Sequence, residues 1–200
     1  MILPIRIYGD PILTKPTQAV ETVDEELRTL IDDMIETMYG ASGLGLAAPQ
    51  VGRSERLFVV DVSPLLEELE AEGLEHHGAV PPLPLDRPHV FINPEILESS
   101  EEEVEFEEGC LSIPGIREPV WRPERIRMRY MTPDMETREI EASGMLARVL
   151  QHEYDHLQGI LFTDLISPFR QRMLRRRLRE MARGNVQADY PIHIETPARR

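Results

Sequence analysis

The sequence feature that most constrains this chain is residues 151–156, which read Gln-His-Glu-Tyr-Asp-His. His152 and His156 are four residues apart, so on a helix they lie on one face with Cβ atoms roughly 5 to 6 Å apart. Two imidazole rings at that separation can bind one divalent ion, and Glu153 beside it can accept a proton from a bound water. The segment therefore predicts a metal hydrolase built around a helix, and it requires a third ligand from elsewhere in the chain.

Two residues compete for the place of third ligand. A third histidine at the metzincin spacing is excluded, because Phe162 occupies that position. Glu180 lies in a later helix, but its arginine neighbours favour a solvated ion pair. Cys110 is the only cysteine and lies between Gly109 and a turn-rich stretch ending at Pro114, which can direct a thiolate inward. A buried, inert cysteine is the alternative interpretation of this residue.

Composition indicates an ordinary globular protein. The 200 residues are 41% hydrophobic and 29% charged, which favours a single domain. We expect this domain to extend over residues 1–184, with residues 63–88 as a surface insertion and residues 185–200 as a loosely held tail. No apolar run has membrane-spanning length, and the first residues lack a basic leader. A lone cysteine agrees with a reducing compartment, so we expect a cytoplasmic protein without a membrane partner.

The charge of the chain is large and unevenly distributed. A formal net charge of −14 argues against DNA binding and against general nucleic-acid binding. Seven arginines nevertheless concentrate after Pro168, at positions 170, 172, 175, 176, 177, 179 and 183. This basic helix has two open interpretations, a contact with a negatively charged partner and a solvated helix surface.

Hydrophobic periodicity predicts helices at both ends of the chain and strands between them. Apolar residues recur every three or four positions over residues 24–39, around the HExxH segment and after Pro168. Apolar runs at residues 57–62, 89–94 and 125–131 predict strands. Residues 43–50 are rich in glycine and alanine but lack a nucleotide-binding spacing. They fit an edge that holds a peptide, and they equally fit a tight turn under the core.

Three separated motifs together resemble those of the peptide deformylase family. They read Gly-Leu-Gly-Leu-Ala-Ala-Pro-Gln at 43–50, Glu-Gly-Cys-Leu-Ser at 108–112 and Gln-His-Glu-Tyr-Asp-His-Leu at 151–157. The resemblance extends over residues 5–168. It implies an α+β fold in which antiparallel sheets pack around the HExxH helix. It also implies removal of the formyl group from the N-terminal formylmethionine of newly synthesised polypeptides, with release of formate.

The resemblance also implies roles for individual residues. Three side chains would bind one divalent metal ion: Cys110, His152 and His156. Glu153 would take a proton from water and pass it to the leaving amine. The Gln50 amide and the Leu111 backbone N–H would stabilise the carbonyl oxygen as it gains negative charge. The family favours Fe²⁺, although this donor set also accepts Zn²⁺, Ni²⁺ or Co²⁺.

Substrate contacts follow from the same resemblance. Three residues match positions that pair with the peptide backbone: Leu44, Gly45 and Gly109. Five match positions around the methionine side chain: Phe106, Glu108, Met145, Val149 and His152. Arg117 matches a position near the next substrate residue. Some relatives carry a ribosome-contacting extension where this chain has its basic helix, so N-formylmethionyl nascent peptides and the ribosome are the expected partners.

Two other functions share part of the pattern. A zinc endopeptidase has the HExxH segment but cleaves internal peptide bonds. A non-catalytic ribosome-binding module would use the basic helix without needing Glu153. Neither accounts for Gln50 and Cys110 in their surroundings.

Overall fold

The core of the fold is a five-stranded antiparallel sheet with a helix on each face. The structure, a computed structural model, describes residues 1–65 and 88–195. Within these ranges lie nine strands: β1 (Ile5–Arg6), β2 (Gly45–Ala47), β3 (Leu57–Val60), β4 (His89–Ser99), β5 (Glu103–Gly109), β6 (Arg117–Pro123), β7 (Arg125–Met131), β8 (Thr137–Ser143) and β9 (Ile192–His193). The large sheet has the order β2-β3-β4-β7-β8.

The α-helices with defined bounds are α1 (Glu25–Gly40), α2 (Gly144–Gln158), α3 (Phe162–Leu165) and α4 (Pro168–Ala182), of which α1 and α2 pack on this sheet. Phe58 and Val60 of β3 face a cluster that contains Leu150 of α2. Leu57 and Val59 face the opposite cluster, which contains the apolar side of α1. Because both faces of β3 are covered, all four of its residues are buried. The predicted α+β class, with antiparallel sheets around the HExxH helix, is confirmed.

The N-terminal helix follows the predicted pattern. The Asp24 side chain accepts a hydrogen bond from the Leu27 N–H and caps the start of α1. The apolar positions of the repeat are buried in this helix: Leu27, Leu30, Ile31, Met34 and Met38. None of the helices in residues 1–65 and 88–195 is long and apolar enough to cross a bilayer.

The HExxH helix α2 ends at a glycine that the packing requires. Gly159 has φ +75°, and a Cβ on it would lie 2.6 Å from the backbone carbon of Thr14. Only glycine satisfies both the left-handed conformation and this close approach. The helix carrying both histidines is thus fixed against the N-terminal segment at its last turn.

Strands β5 and β6 form a separate two-stranded sheet beside α2. Its register pairs Glu108 with Glu118 and Gly109 with Arg117. The loop that joins the two strands begins at Cys110, where the Ile113 N–H donates to the Cys110 carbonyl at 2.9 Å. The hairpin therefore presents the only cysteine next to the histidine helix.

The C-terminal part departs from expectation in its tail. On α4, Leu174, Leu178 and Met181 face the core, whereas Phe169 and Met173 are 65% and 68% exposed. The tail from residue 185 is not loose where it is described: β9 pairs in parallel with β1. Most of the expected insertion at 63–88, namely residues 66–87, lies outside the described residues, as do residues 196–200.

Candidate metal centre

The structure gathers three of the candidate ligands at one point. The Cys110 sulfur and one imidazole nitrogen each from His152 and His156 all lie within 4.8 Å of one another. The Cys110 Sγ is 3.2 Å from the His156 Nε2, and the two imidazole rings are 5.0 Å apart between centroids. One sulfur and two imidazole nitrogens suit a tetrahedral divalent ion with one position left for water or substrate. Glu180 is not in this group and instead accepts from Asn185 and Arg183.

Neighbouring N–H groups point at the Cys110 sulfur. The Ser112 backbone N–H lies 3.4 Å from Sγ, and the Gln50 Nε2 lies 3.5 Å from it. The Gln50 amide has a defined orientation, because its Oε1 accepts from the Ala47 N–H at 2.8 Å. Its NH₂ group therefore faces the sulfur and the Ser112 hydroxyl. Two N–H donors therefore face the sulfur of the candidate ligand.

A buried carboxylate holds His152 in place. Glu108 Oε2 lies 2.8 Å from His152 Nδ1, which leaves Nε2 for the ion. Arg122 donates to Glu108 at 2.6 and 3.0 Å, and Arg148 donates to it at 2.8 Å. Burial alone would raise the pKa of Glu108, but the hydrogen bonds from His152 and Arg122 hold it well below its usual range. Glu108 therefore stays ionised and orients the ring.

The two histidines differ in their preference for a proton. Burial lowers the pKa of His156 well below its usual value, so this ring is neutral and ready to bind metal. Burial also acts to lower the pKa of His152, but the hydrogen bonds to Cys110 and Glu108 overcome it and raise the pKa to about 10. Metal binding at His152 must therefore release a proton.

The Glu153 carboxylate is buried beside the candidate ligands and lines the neighbouring cavity. Its side chain is 4% exposed, and its Oε2 has no hydrogen-bond partner in the described chain. Burial raises the pKa of Glu153 to about 7, which suits a group that takes and returns a proton near neutral pH. Gly45 makes room for it, because a Cβ there would lie 2.5 Å from Glu153 Oε1. The absence of a side chain at Gly45 thus leaves space for the Glu153 carboxylate, in addition to the substrate contact expected of this residue.

A cavity of about 710 Å³ opens beside the ligands. Most predicted substrate residues lie in its lining: Leu44, Gly45, Gly109, Arg117, Met145 and Val149, together with Gln50, Leu111 and Glu153. Phe106 does not lie in this lining; its ring packs against the Arg148 guanidinium, 5.2 Å from the ring centroid. Glu108 does lie in it, but its carboxylate is taken up by Arg122, Arg148 and His152 and does not form an apolar pocket wall.

The sequence patterns did not predict two residues that lie beside the candidate site, Arg122 and Tyr190. Arg122 lies in β6 and pairs with both Glu108 and Asp155 of the HExxH helix. Tyr190, from the expected loose tail, lines the cavity and donates to the Leu111 carbonyl at 2.7 Å. Neither residue has a local motif, since each acquires its partner across a long sequence separation. Arg148 of the HExxH helix also donates to Glu108.

Comparison with known proteins points to one family. The family described as "Polypeptide deformylase" matches residues 2–172. A peptide deformylase of Salinibacter ruber is 59% identical over 192 residues, covering 96% of this chain and 94% of the relative. The crystal structure of peptide deformylase from Thermotoga maritima is 43% identical with a TM-score of 0.71, covering 84% of this chain and 99% of that chain. The crystal structure of peptide deformylase from Ehrlichia chaffeensis in complex with actinonin is 39% identical with a TM-score of 0.75. The match covers 90% of this chain and 96% of that chain.

We expect Glu108→Gln to weaken metal retention by about 10- to 100-fold, because a neutral amide cannot hold His152 Nδ1 and two guanidinium groups together. The rate of metal loss to a chelator measures this change. Glu107→Gln is the matched control, since it removes a neighbouring carboxylate that is exposed and pairs with Arg117 at 3.0 Å. Equal rates of metal loss in the two variants would contradict the role given to Glu108.

Proposed function

The chain belongs to the peptide deformylase family, and from that premise we propose that Cys110, His152 and His156 hold the divalent metal ion on which the activity of this family depends. The chain is a hydrolase that removes the formyl group from the N-terminus of new polypeptides and releases formate. The observation that supports these three ligands is their gathering within 4.8 Å around one point. The buried Glu153 carboxylate beside them supports a hydrolytic site.

Glu153 is the proposed carrier of the proton. When bound, a divalent metal ion supplies an activated water by lowering its pKa from 15.7 toward about 7. Glu153 accepts a proton as the water oxygen attacks the formyl carbon. It then gives this proton to the amine nitrogen as the C–N bond breaks. Its raised pKa, about 7, fits both transfers, because neither protonation state is strongly preferred near neutral pH.

Gln50 and Leu111 are the proposed donors to the carbonyl oxygen. Attack makes the formyl carbon tetrahedral, and its oxygen then carries negative charge. The Gln50 NH₂ is fixed through its Oε1 at Ala47 and lines the cavity next to Cys110. The Leu111 N–H belongs to the same loop as the sulfur. Donors that are held in place in this way need no reorganisation when the charge appears, which lowers the barrier.

The proposed substrate path runs along strand edges into the cavity. Leu44, Gly45 and Gly109 line the cavity, and their proposed role is to pair with an extended peptide backbone, a mode that tolerates many sequences. Met145 and Val149 offer an apolar surface to the methionine side chain, and Met145 is polarizable. Arg117, an exposed residue of the lining, is the proposed contact for the substrate residue that follows the methionine.

Removing the carboxylate tests the proposed mechanism. Glu153→Gln keeps the shape of the side chain but cannot accept the proton, so formate release from formyl-Met-Ala-Ser should fall by about 10² to 10⁴. Metal content should stay at the wild-type level, because Glu153 is not a proposed ligand. Glu180→Gln is the control that removes the rejected ligand, and it should leave both activity and metal content unchanged.

A wild-type rate in Glu153→Gln would remove this mechanism. A parallel assay that measures cleavage of an unformylated protein substrate separates the deformylase from an HExxH endopeptidase. We expect no cleavage of internal peptide bonds.

We propose Fe²⁺ as the physiological ion, on the basis of the family, although a thiolate and two imidazoles also accept zinc, nickel or cobalt. Protein purified without oxygen should then contain iron. Its activity should decay in air, with oxidation of the iron or of Cys110. Zinc has no redox chemistry, so a zinc-loaded sample in air is the control for metal oxidation. Anaerobic protein that contains zinc and no iron would contradict the proposal.

The basic helix α4 is a proposed contact for the ribosome, where nascent formylmethionyl peptides emerge. Arg172 and Arg176 are exposed one turn apart and flank the exposed Phe169 and Met173. Cosedimentation with ribosomes should weaken as salt rises. Arg172→Glu combined with Arg176→Glu should abolish it, while activity on formyl-Met-Ala-Ser is kept. Absent or salt-insensitive cosedimentation would contradict this contact.

We also propose a cytoplasmic location, where new polypeptides are made, and a single domain that takes in residues 1–184 together with strand β9, which pairs with β1. The one sheet that α1 covers on one face and α2 on the other supports the single domain. Cell fractionation tests the location, and one cooperative unfolding transition is expected of the domain.

A further inference from the structure

The C-terminal segment returns to the active-site loop. The Ile5 N–H donates to the Pro191 carbonyl at 2.9 Å, and the Ile7 N–H donates to the His193 carbonyl at 3.2 Å. These bonds hold β9 beside β1 and set the position of Tyr190, which lies two residues before β9. Tyr190 packs at the edge of the same hydrophobic cluster as Leu111. Its place next to the metal loop is therefore fixed by backbone pairing.

Tyr190 holds the Leu111–Ser112 peptide group, whose N–H faces the Cys110 sulfur. Its hydroxyl donates to the Leu111 carbonyl at 2.7 Å. The carbonyl of Leu111 and the N–H of Ser112 belong to one planar trans peptide unit and point in opposite directions. That N–H lies 3.4 Å from Cys110 Sγ. Holding the oxygen thus aims the N–H at the ligand atom.

The following peptide group is held from the other strand. The Tyr8 backbone N–H, just beyond β1, donates to the Ser112 carbonyl at 2.8 Å. The Leu111 side chain is also confined, because its Cδ1 would lie only 2.9 Å from a Cβ on Gly43. The loop is therefore held by two hydrogen bonds. One comes from the Tyr190 hydroxyl, close to β9, and the other comes from the Tyr8 backbone N–H, close to β1.

We propose that Tyr190 is a positioning residue, which orients the Leu111–Ser112 peptide so that its N–H supports the Cys110 thiolate and the Leu111 N–H keeps its direction toward the substrate oxygen. Tyr190 acts through the loop, and no contact with substrate is required of it. This inference rests on the proposed function, because it takes Cys110 as a metal ligand. Hydrogen bonds to a ligand sulfur change its electron donation to the metal, so the effect has a spectroscopic signature.

Tyr190→Phe tests this proposal, because it removes only the hydroxyl and keeps the ring in the cluster. In protein loaded with Co²⁺, the sulfur-to-cobalt charge-transfer band should move to lower energy, since a thiolate with a weaker N–H bond is more electron-rich. With formyl-Met-Ala-Ser, kcat should fall about 10-fold. KM should stay within about twofold, because the lost alignment acts on the transition state.

Tyr8→Phe is the matched control. It removes the hydroxyl of a residue whose backbone N–H holds Ser112, and it keeps that N–H. Its band and its kcat should match the wild type. Tyr190→Met, which keeps apolar bulk without a hydroxyl, replaces Tyr190→Phe if the latter does not fold, and the same band shift is expected.

Three outcomes are distinguishable. A band shift with a lower kcat in Tyr190→Phe and none in Tyr8→Phe supports the positioning role. A wild-type band and a wild-type kcat in Tyr190→Phe overturn it and leave packing as the only role of the ring. A wild-type protein without any sulfur-to-cobalt band overturns the proposed metal centre itself, and this inference with it.

Discussion

The buried carboxylate of Glu108 links the parts of this structure that make the candidate site. It joins β5 to β6 through Arg122, and it joins both strands to helix α2 through Arg148 and His152. Charge removed from water is costly, so such a cluster is stable only when every partner is hydrogen-bonded. Arg148 meets this condition through the Val120 and Val104 carbonyls as well as Glu108. The hydrogen bonds of this cluster thus offset the cost of burying its charges, and the bond from Glu108 fixes the ring of His152, a proposed ligand.

Around this cluster, small residues and backbone groups provide the space and the direction that the chemistry needs. Gly45 lets the β2 edge approach the Glu153 carboxylate, and Gly159 lets the end of α2 approach the N-terminal segment. The sulfur of Cys110 faces N–H groups from Ser112 and Gln50. The site is therefore assembled from a helix, a strand edge and a loop, each held by contacts with other parts of the chain.

Local patterns in the sequence predicted the elements and the family, because they depend on periodicity and on motifs. The α1 repeat and the HExxH helix lie where they were expected. Long-range partners were not predictable in this way. Arg122 meets Asp155 across 33 positions, and Tyr190 meets Leu111 across 79. The C-terminal segment has no local pattern that predicts its position, which is set by the pairing of β9 with β1. Phe106 was expected in the substrate pocket, but its ring packs against Arg148 instead.

The central claim is that Cys110, His152 and His156 share one metal ion. X-ray absorption spectroscopy of the zinc-loaded protein measures the atoms bound to the ion directly. The account predicts one sulfur at about 2.3 Å and two imidazole nitrogens at about 2.0 to 2.1 Å. A zinc ion surrounded only by nitrogen and oxygen would contradict it, because Cys110 would then lie outside the coordination sphere.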